Sequence, residues 1–309
     1  MIAGNYLHDL TVRLGQGLAR LPTALRTRHI AYLRSAQNAD GGFSGREGGS
    51  DLYYTGFALR GLAVLDALTP DICTRAAVFL GQSLTREASI VDFFSLLYSC
   101  RLVQMGGGPD VLANSPPDWP DRVAAVLATF RGKDGGYAKS PANASSSTYH
   151  TFLVGLCYQL LGRPLPHPAE VSRFVASRRR DDGGYVEIAP LKRSGTNPTA
   201  AAVGLLQLLG ADLGTIREGV SNFLAGMASP EGGLRANARA PLADLLSTFT
   251  GSWTLAQLGA LDRINTAAAC RYAASLELPG GGFRGGSWDE QTDVEYTFYG
   301  LGVLALLTP

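Results

Sequence analysis

Two kinds of apolar pattern alternate along the chain. Residues 27–36, 121–130, 169–177, 216–227 and 266–276 carry apolar side chains at helical spacing and keep one polar face. Residues 52–65, 91–103, 149–161, 199–209, 245–258 and 294–307 are apolar nearly all round and rich in small side chains. No run alternates long enough to suggest a strand. The pattern predicts helices in pairs, the first of each facing water on one side and the second buried.

The separators between the paired stretches are regular. Double glycines stand at Gly41-Gly42, Gly135-Gly136, Gly183-Gly184, Gly232-Gly233 and Gly281-Gly282, followed by Phe43, Tyr137, Tyr185, Leu234 and Phe283. Their spacings are 94, 48, 49 and 49 residues, so the first interval holds two repeats and one glycine pair is missing near Ala88. Glycine there supplies a positive-φ turn at the end of the first helix. Asp51, Ser147, Asp244 and Asp293 stand where they can cap the second helix.

Six such repeats predict an all-α protein, a closed α/α toroid of six inner and six outer helices. It forms one domain over 1–309, with 1–24 as a helical extension (a helix at 6–21) and the repeats in 25–309. An open solenoid would need polar capping repeats, and the last stretch ends apolar at Leu306-Leu307.

Composition narrows the function classes. With 46% hydrophobic and 17% charged residues the chain has a large core, and a net charge of +1 gives no support to a nucleic-acid partner. Cys73, Cys100, Cys157 and Cys270 form no CxxC pair and read as reduced thiols. The start has no basic region followed by an apolar run, and the most apolar stretches are about half a membrane span. A cytoplasmic protein is expected.

Parallel inner helices would bring their N-termini, with free amides and dipoles, to one rim suited to an anion. The loops before them carry Arg46, Lys139, Lys192, Arg193, Arg235, Arg239 and Arg284. Aromatic residues follow near the inner-helix starts: Tyr53, Tyr54, Phe57, Phe93, Phe94, Tyr98, Tyr149, Phe152, Phe249, Trp253, Tyr296, Phe298 and Tyr299. They suit a pocket for an isoprenoid chain. The alternatives are that the rings fill helix interfaces and that the arginines are solvated. His150 is the histidine at an inner-helix start, as a wall residue or a base.

The segment Gln37-Asn38-Ala39-Asp40-Gly41-Gly42-Phe43 resembles the repeat motif of protein prenyltransferase β subunits and squalene-cyclase-type enzymes. The last two repeats, Gly232-Gly233-Leu234 to Asp244-Leu245-Leu246-Ser247 and Gly281-Gly282-Phe283 to Asp293-Val294-Glu295-Tyr296, are similar to that family's metal-binding segments, nearest the Rab geranylgeranyltransferase β type. The resemblance spans 25–309 and implies a prenyltransferase-like protein that binds an isoprenoid diphosphate in a central aromatic cavity.

Residue by residue, the resemblance puts Asp244 at the family's zinc aspartate, Leu246 where it has cysteine and Tyr296 where it has histidine. The implied zinc site is incomplete, so no cofactor is expected. A Mg²⁺ cluster of Asp244, Asp293 and Glu295 is the rival to simple helix caps. Asp244 and Tyr296 are the catalytic candidates; Arg235, Arg239, Arg284, Tyr54, Tyr149, His150, Phe249, Trp253 and Phe298 are the substrate-binding ones. The partners implied are the isoprenoid diphosphate and an unknown acceptor; eukaryotic members work with a separate helical α subunit, which stays open for this chain, where the segment 6–21 could replace some of that contact. The competing readings are a non-catalytic isoprenoid- or protein-binding toroid, a terpene cyclase, for which no Asp-x-Asp-Asp run exists, and a sugar-cleaving helical barrel.

Overall fold

A computed structural model of the chain describes residues 6–84, 89–141 and 145–308. The glycine pair expected to be missing near Ala88 lies outside the described residues. The helix expected over 6–21 is α1, Tyr6–Ala19. Helix pairs follow: α2 (Thr23–Ser35) with α3 (Leu52–Val64), α4 (Pro70–Ser83) with α5 (Ile90–Met105), and α6 (Trp119–Thr129) with α7 (Thr148–Leu160). Then come α8 (Pro168–Arg178) with α9 (Thr196–Leu208), α10 (Gly214–Ala225) with α11 (Leu245–Gln257), and α12 (Thr266–Ser275) with α13 (Val294–Leu307). The extended structure among the described residues is a two-stranded antiparallel pair, β1 (Phe283–Arg284) with β2 (Thr292–Asp293), and isolated bridges in the turns. No described helix is long and apolar enough to cross a membrane.

The second helices begin where the sequence places their caps. Asp51 accepts from Tyr54 N at 2.7 Å, Ser147 from His150 N at 3.0 Å, Asp244 from Ser247 N at 2.7 Å and Asp293 from Tyr296 N at 2.8 Å. Each satisfies an amide with no partner inside its helix, worth about 1 kcal/mol.

The glycine turns do two jobs. Gly41 has φ +89°, and a Cβ there would overlap the carbonyl of Arg75 on α4, the next outer helix. Gly281 has φ +92°, and its Cβ would lie 2.9 Å from the carbonyl of Arg28 on α2. Positive φ and close backbone approach both exclude a larger residue. The second contact joins the last helix pair to the first by the geometry that joins the first to the second.

After each glycine pair the apolar residue is buried, and its amide needs an acceptor. Phe43 N donates to Thr55 Oγ1 (2.9 Å), Tyr137 N to Thr151 (2.8 Å) and Tyr185 N to Thr199 (2.9 Å). Leu234 N donates to Thr248 (2.9 Å) and Phe283 N to Thr297 (3.2 Å) in the same way. A buried threonine in the first turns of the inner helix thus locks the turn to it.

The chain packs as two compact units, Met1–Asp9 with Pro117–Ala269, and Leu10–Pro116 with Cys270–Pro309. In the first, α9 packs between α7 and α11, over a core that includes Phe174, Val203, Phe223 and Leu255. In the second, α3 packs between α5 and α13. We refer to them as the neutral unit and the charged unit, for the faces described next.

Candidate functional site

The charged unit gathers aromatic rings from three inner helices. Phe57 of α3 lies 5.8 Å from Phe298 and 5.2 Å from Tyr299 of α13, and Phe94 and Tyr98 of α5 are 5.8 Å apart. An arginine stands among them. The Arg60 guanidinium is 3.9 Å from the Phe57 ring centroid, 5.5 Å from Phe298, 5.6 Å from Phe94 and 6.0 Å from Tyr98. Helical side chains lean toward the N-terminus, so Arg60 reaches back one turn and its Nε donates to Gly56 O at 3.0 Å. One turn nearer the helix starts, the Tyr53 hydroxyl donates to Glu295 Oε1 at 2.6 Å. Burial holds the Glu295 carboxyl above its ordinary range, against the pull of the Tyr53 bond, and neighbouring Asp293 adds to the rise.

Above these helix starts, Arg46 is clamped by two carboxylates. Its Nε and terminal nitrogens donate to Asp293 Oδ2 at 2.9 Å and to Asp289 at 2.9 and 2.5 Å. The bonds to Asp289 come first among the causes that raise the Arg46 pKa. Asp293 titrates above its usual range because burial outweighs the arginine; at Asp289 burial also pushes upward, but Arg46 and two backbone amides win and hold it low. An open cleft of about 520 Å³ beside the clamp is lined by Arg46, Glu47, Tyr54, Asp289, Glu290 and Gln291. Of the residues expected from sequence, Tyr54 lines this cleft and Tyr296 lies with its ring 5.5 Å from the Arg46 guanidinium. Phe298 belongs to the ring set around Arg60. Arg284 directs its guanidinium to the carbonyls of Asp289 (3.4 Å) and Ser275 (3.3 Å).

The neutral unit holds the rest. Arg235 donates to the carbonyls of Gly226 (3.1 Å) and Met227 (3.4 Å), closing the end of α10 much as Arg284 closes that of α12. Arg239 is exposed. Tyr149 is exposed, with its ring 5.5 Å from that of His150. The His150 Nδ1 lies 2.8 Å from Ser147 Oγ, which donates to Glu187. Burial, aided by the charge of Lys139, lowers the His150 pKa, so it is neutral near pH 7. Phe249 and Trp253 are buried on α11. Trp253 Nε1 donates to the Tyr6 hydroxyl at 2.9 Å, and the Tyr6 ring meets Phe152 and Trp253 edge-on. Burial pushes the Tyr6 pKa up to about 12. Two neutral pairs join α11 to α9: Thr250 with Asn197 at 2.7 Å and Gln257 with Gln207 at 2.5 Å.

The donor set does not fit the zinc site that the resemblance implies. Asp244 accepts from both the amide and the hydroxyl of Ser247, the latter at 2.9 Å, and burial raises its pKa. Leu246 offers no ligand atom. Of the rival Mg²⁺ set, Asp293 is bound to Arg46 and Glu295 to Tyr53. Among the described residues no three His, Cys, Asp or Glu side chains are placed to share an ion.

Sequence reasoning missed Arg60. Its signal is a lone cation in the apolar run Phe57-Ala58-Leu59-Arg60-Gly61-Leu62, where an arginine needs a specific environment.

The comparisons with known proteins agree with this architecture. No curated protein matches the sequence. Among solved structures, protein geranylgeranyltransferase-I of Candida albicans, complexed with GGPP, superposes with a TM-score of 0.72 at 14% identity, over 91% of each chain. A type II terpene cyclase from Scytonema gives 0.62 at 14% identity over 96% of this chain and 98% of its own. An inactive variant of an α-1,6-mannanase of Salegentibacter, holding mannotriose, gives 0.63 at 13% over 92% and 98%. At these identities the likeness is one of fold, and the three chemistries differ. The prenyltransferase alpha-alpha toroid domain model matches residues 10–96 and 108–309, so the all-α toroid expected from the glycine repeat is the fold, and the chain belongs to that family.

Proposed function

We propose that this protein binds an isoprenoid diphosphate, with the prenyl chain against the aromatic inner-helix face of the charged unit, and transfers the prenyl group to an acceptor other than a zinc-activated thiol. The observation that carries the reading is the ring set of Phe57, Phe94, Tyr98, Phe298 and Tyr299 at the starts of three inner helices in a prenyltransferase-family chain. Apolar burial against rings gives a polyprenyl chain its affinity. The GGPP complex of the Candida albicans relative supports the ligand class.

In the transfer, the bond between C1 of the prenyl group and the diphosphate oxygen breaks, and diphosphate leaves with the electron pair. The acceptor's nucleophilic atom bonds to C1 and gives up its proton. Tyr296 borders the diphosphate end in this reading. Asp244 keeps the capping role that its two bonds to Ser247 describe. We take the reaction to run in the cytoplasm, a reading supported by the free, buried thiols of Cys73, Cys100 and Cys157. The cyclase alternative is disfavoured because the sequence carries no Asp-x-Asp-Asp run to supply its acid.

Titration calorimetry with geranylgeranyl diphosphate and with geranylgeraniol tests the reading. The diphosphate is expected to bind and the alcohol to bind at least tenfold more weakly. Equal binding of the two would remove the anion site, and binding of neither would leave a scaffold without this ligand.

A further inference from the structure

The loop arginines first assigned to the diphosphate are mostly engaged elsewhere. Arg46 is held by Asp289 and Asp293, Arg235 by the end of α10, and Arg284 by Ser275 and Asp289 carbonyls. Arg60 differs in three respects. Its single hydrogen bond among the described residues is Nε to Gly56 O, which leaves both terminal nitrogens without a protein acceptor. It enters no ion pair among those residues, and it is partly open to solvent. The rings of Phe57, Phe94, Tyr98 and Phe298 surround it, and the charge of Arg60 acts on the Glu295 carboxyl without an ion pair forming.

A guanidinium among aromatic faces is weakly paired. Its two terminal NH₂ groups form the planar fork that grips two oxygens of a phosphate or carboxylate. The surrounding rings lower the local polarity, which strengthens such a contact when an anion arrives. Position agrees with this. Because the side chain leans back to the level of Gly56 and Phe57, the fork lies about one turn, or roughly 5 Å, below the Tyr53–Glu295 pair at the helix starts.

We propose that Arg60 is the residue that grips the diphosphate of the isoprenoid ligand, beside the ring set that takes the prenyl chain. This rests on the proposed isoprenoid-diphosphate reading and names its anion seat. The Tyr53–Glu295 hydrogen bond stands over the seat. Burial, with Asp293 adding to it, raises the Glu295 pKa, while the Tyr53 bond and the Arg60 charge pull it down.

The test uses the full chain with geranylgeranyl diphosphate and geranylgeraniol. In Arg60→Met, affinity for the diphosphate is expected to fall about 10- to 100-fold with the alcohol unchanged, the range for a lost charge-assisted pair. Arg60→Lys is expected to recover part of the loss, since it keeps the charge without the fork. Because either variant can disturb the ring set, the wild type is also labelled with phenylglyoxal and digested. Arg60 is expected to be protected by the diphosphate and not by the alcohol.

Unchanged affinity in a folded Arg60→Met chain, or full labelling of Arg60 with the diphosphate bound, would overturn the seat while leaving the isoprenoid reading intact. Failure of the wild type to bind the diphosphate would overturn both.

Discussion

The inner helices of the two units use one scaffold and carry opposite chemistry. In the neutral unit, α9 and α11 meet through two neutral pairs, Thr250 with Asn197 and Gln257 with Gln207, and the Trp253 indole donates to a tyrosine hydroxyl. In the charged unit, α3 and α13 carry Arg60 and Glu295, and the turns leading into them carry Arg46, Asp289 and Asp293. Yet in both units a positive-φ glycine, a buried apolar residue and a threonine acceptor build the same turn. Apart from Asp293, which both caps α13 and binds Arg46, the positions that build the turn are separate from those that carry the face chemistry, and the second set can change without touching the first. The faces of α3 and α13 can carry charge and those of α9 and α11 neutral pairs for that reason.

The largest expected consequence lies at the Arg46 clamp. Arg46→Met leaves Asp289 and Asp293, both nearly buried, without their cation, and is expected to destabilise the charged unit by about 3–5 kcal/mol. Thr250→Val in the neutral unit breaks a bond between uncharged groups and is expected to cost about 1 kcal/mol. Urea unfolding followed by peptide-resolved hydrogen exchange measures each loss in its own unit. Similar losses at the two sites would mean that the charged cluster is no more critical to its unit than the amide pair.

The shared scaffold makes the opposite demand. Thr248→Val and Thr297→Val each remove the acceptor of a buried amide, that of Leu234 or Phe283. Both are expected to cost about 1–3 kcal/mol, and the two values should agree although the faces around them differ. A clear difference between them in the same unfolding experiment would show that face chemistry reaches into the turn.

These positions also mark what the sequence discloses. The glycine pairs, their spacing and the caps Asp51, Ser147, Asp244 and Asp293 are local features, so they can be read from the sequence. The threonines are legible in principle, standing 12 or 14 residues after the apolar turn residue, but only once the amide they satisfy is known. The Arg46 clamp joins residues 243 and 247 positions apart, and no local pattern announces it. Arg235 and Arg284 were legible as cations but not as helix-end donors, because the sequence does not show where a side chain turns. The aromatic residues were found, and the arginine among them was not, because an apolar helix was read as uniformly apolar.

The smallest effect separates the units by pH. In the first, third and fourth turns the second glycine amide is accepted by an aspartate, as Gly42 N by Asp40 and Gly184 N by Asp182, both at 3.0 Å. The last turn has no such aspartate, and Gly282 N donates instead to His29 Nδ1 at 3.1 Å. His29 is fully buried, stacked on Phe283, with Nε2 3.1 Å from Glu277 Oε1 and Arg28 on the same carboxylate. At the matching place beside the turn glycine, α8 and α10 carry Val171 and Val220, which do not titrate. Burial lowers the His29 pKa below its ordinary value, with Glu277 opposing and Arg28 assisting. The folded chain therefore binds fewer protons here than the unfolded one. The stabilisation is complete above about pH 6.5 and is lost as pH falls toward the folded value, by at most about 1.4 kcal/mol per pH unit. Protonation at Nδ1 also removes the acceptor of Gly282. Glu295 and Asp293, whose values are raised, act in the opposite sense: their protonation on acidification favours the folded state. Hydrogen exchange at pH 7.5 and 5.5 is expected to show protection lost at residues 277–283 and kept at 179–185, with the difference absent in His29→Val. Equal loss in the two turns, or its persistence in His29→Val, would show that this histidine does not set the pH response of the charged unit.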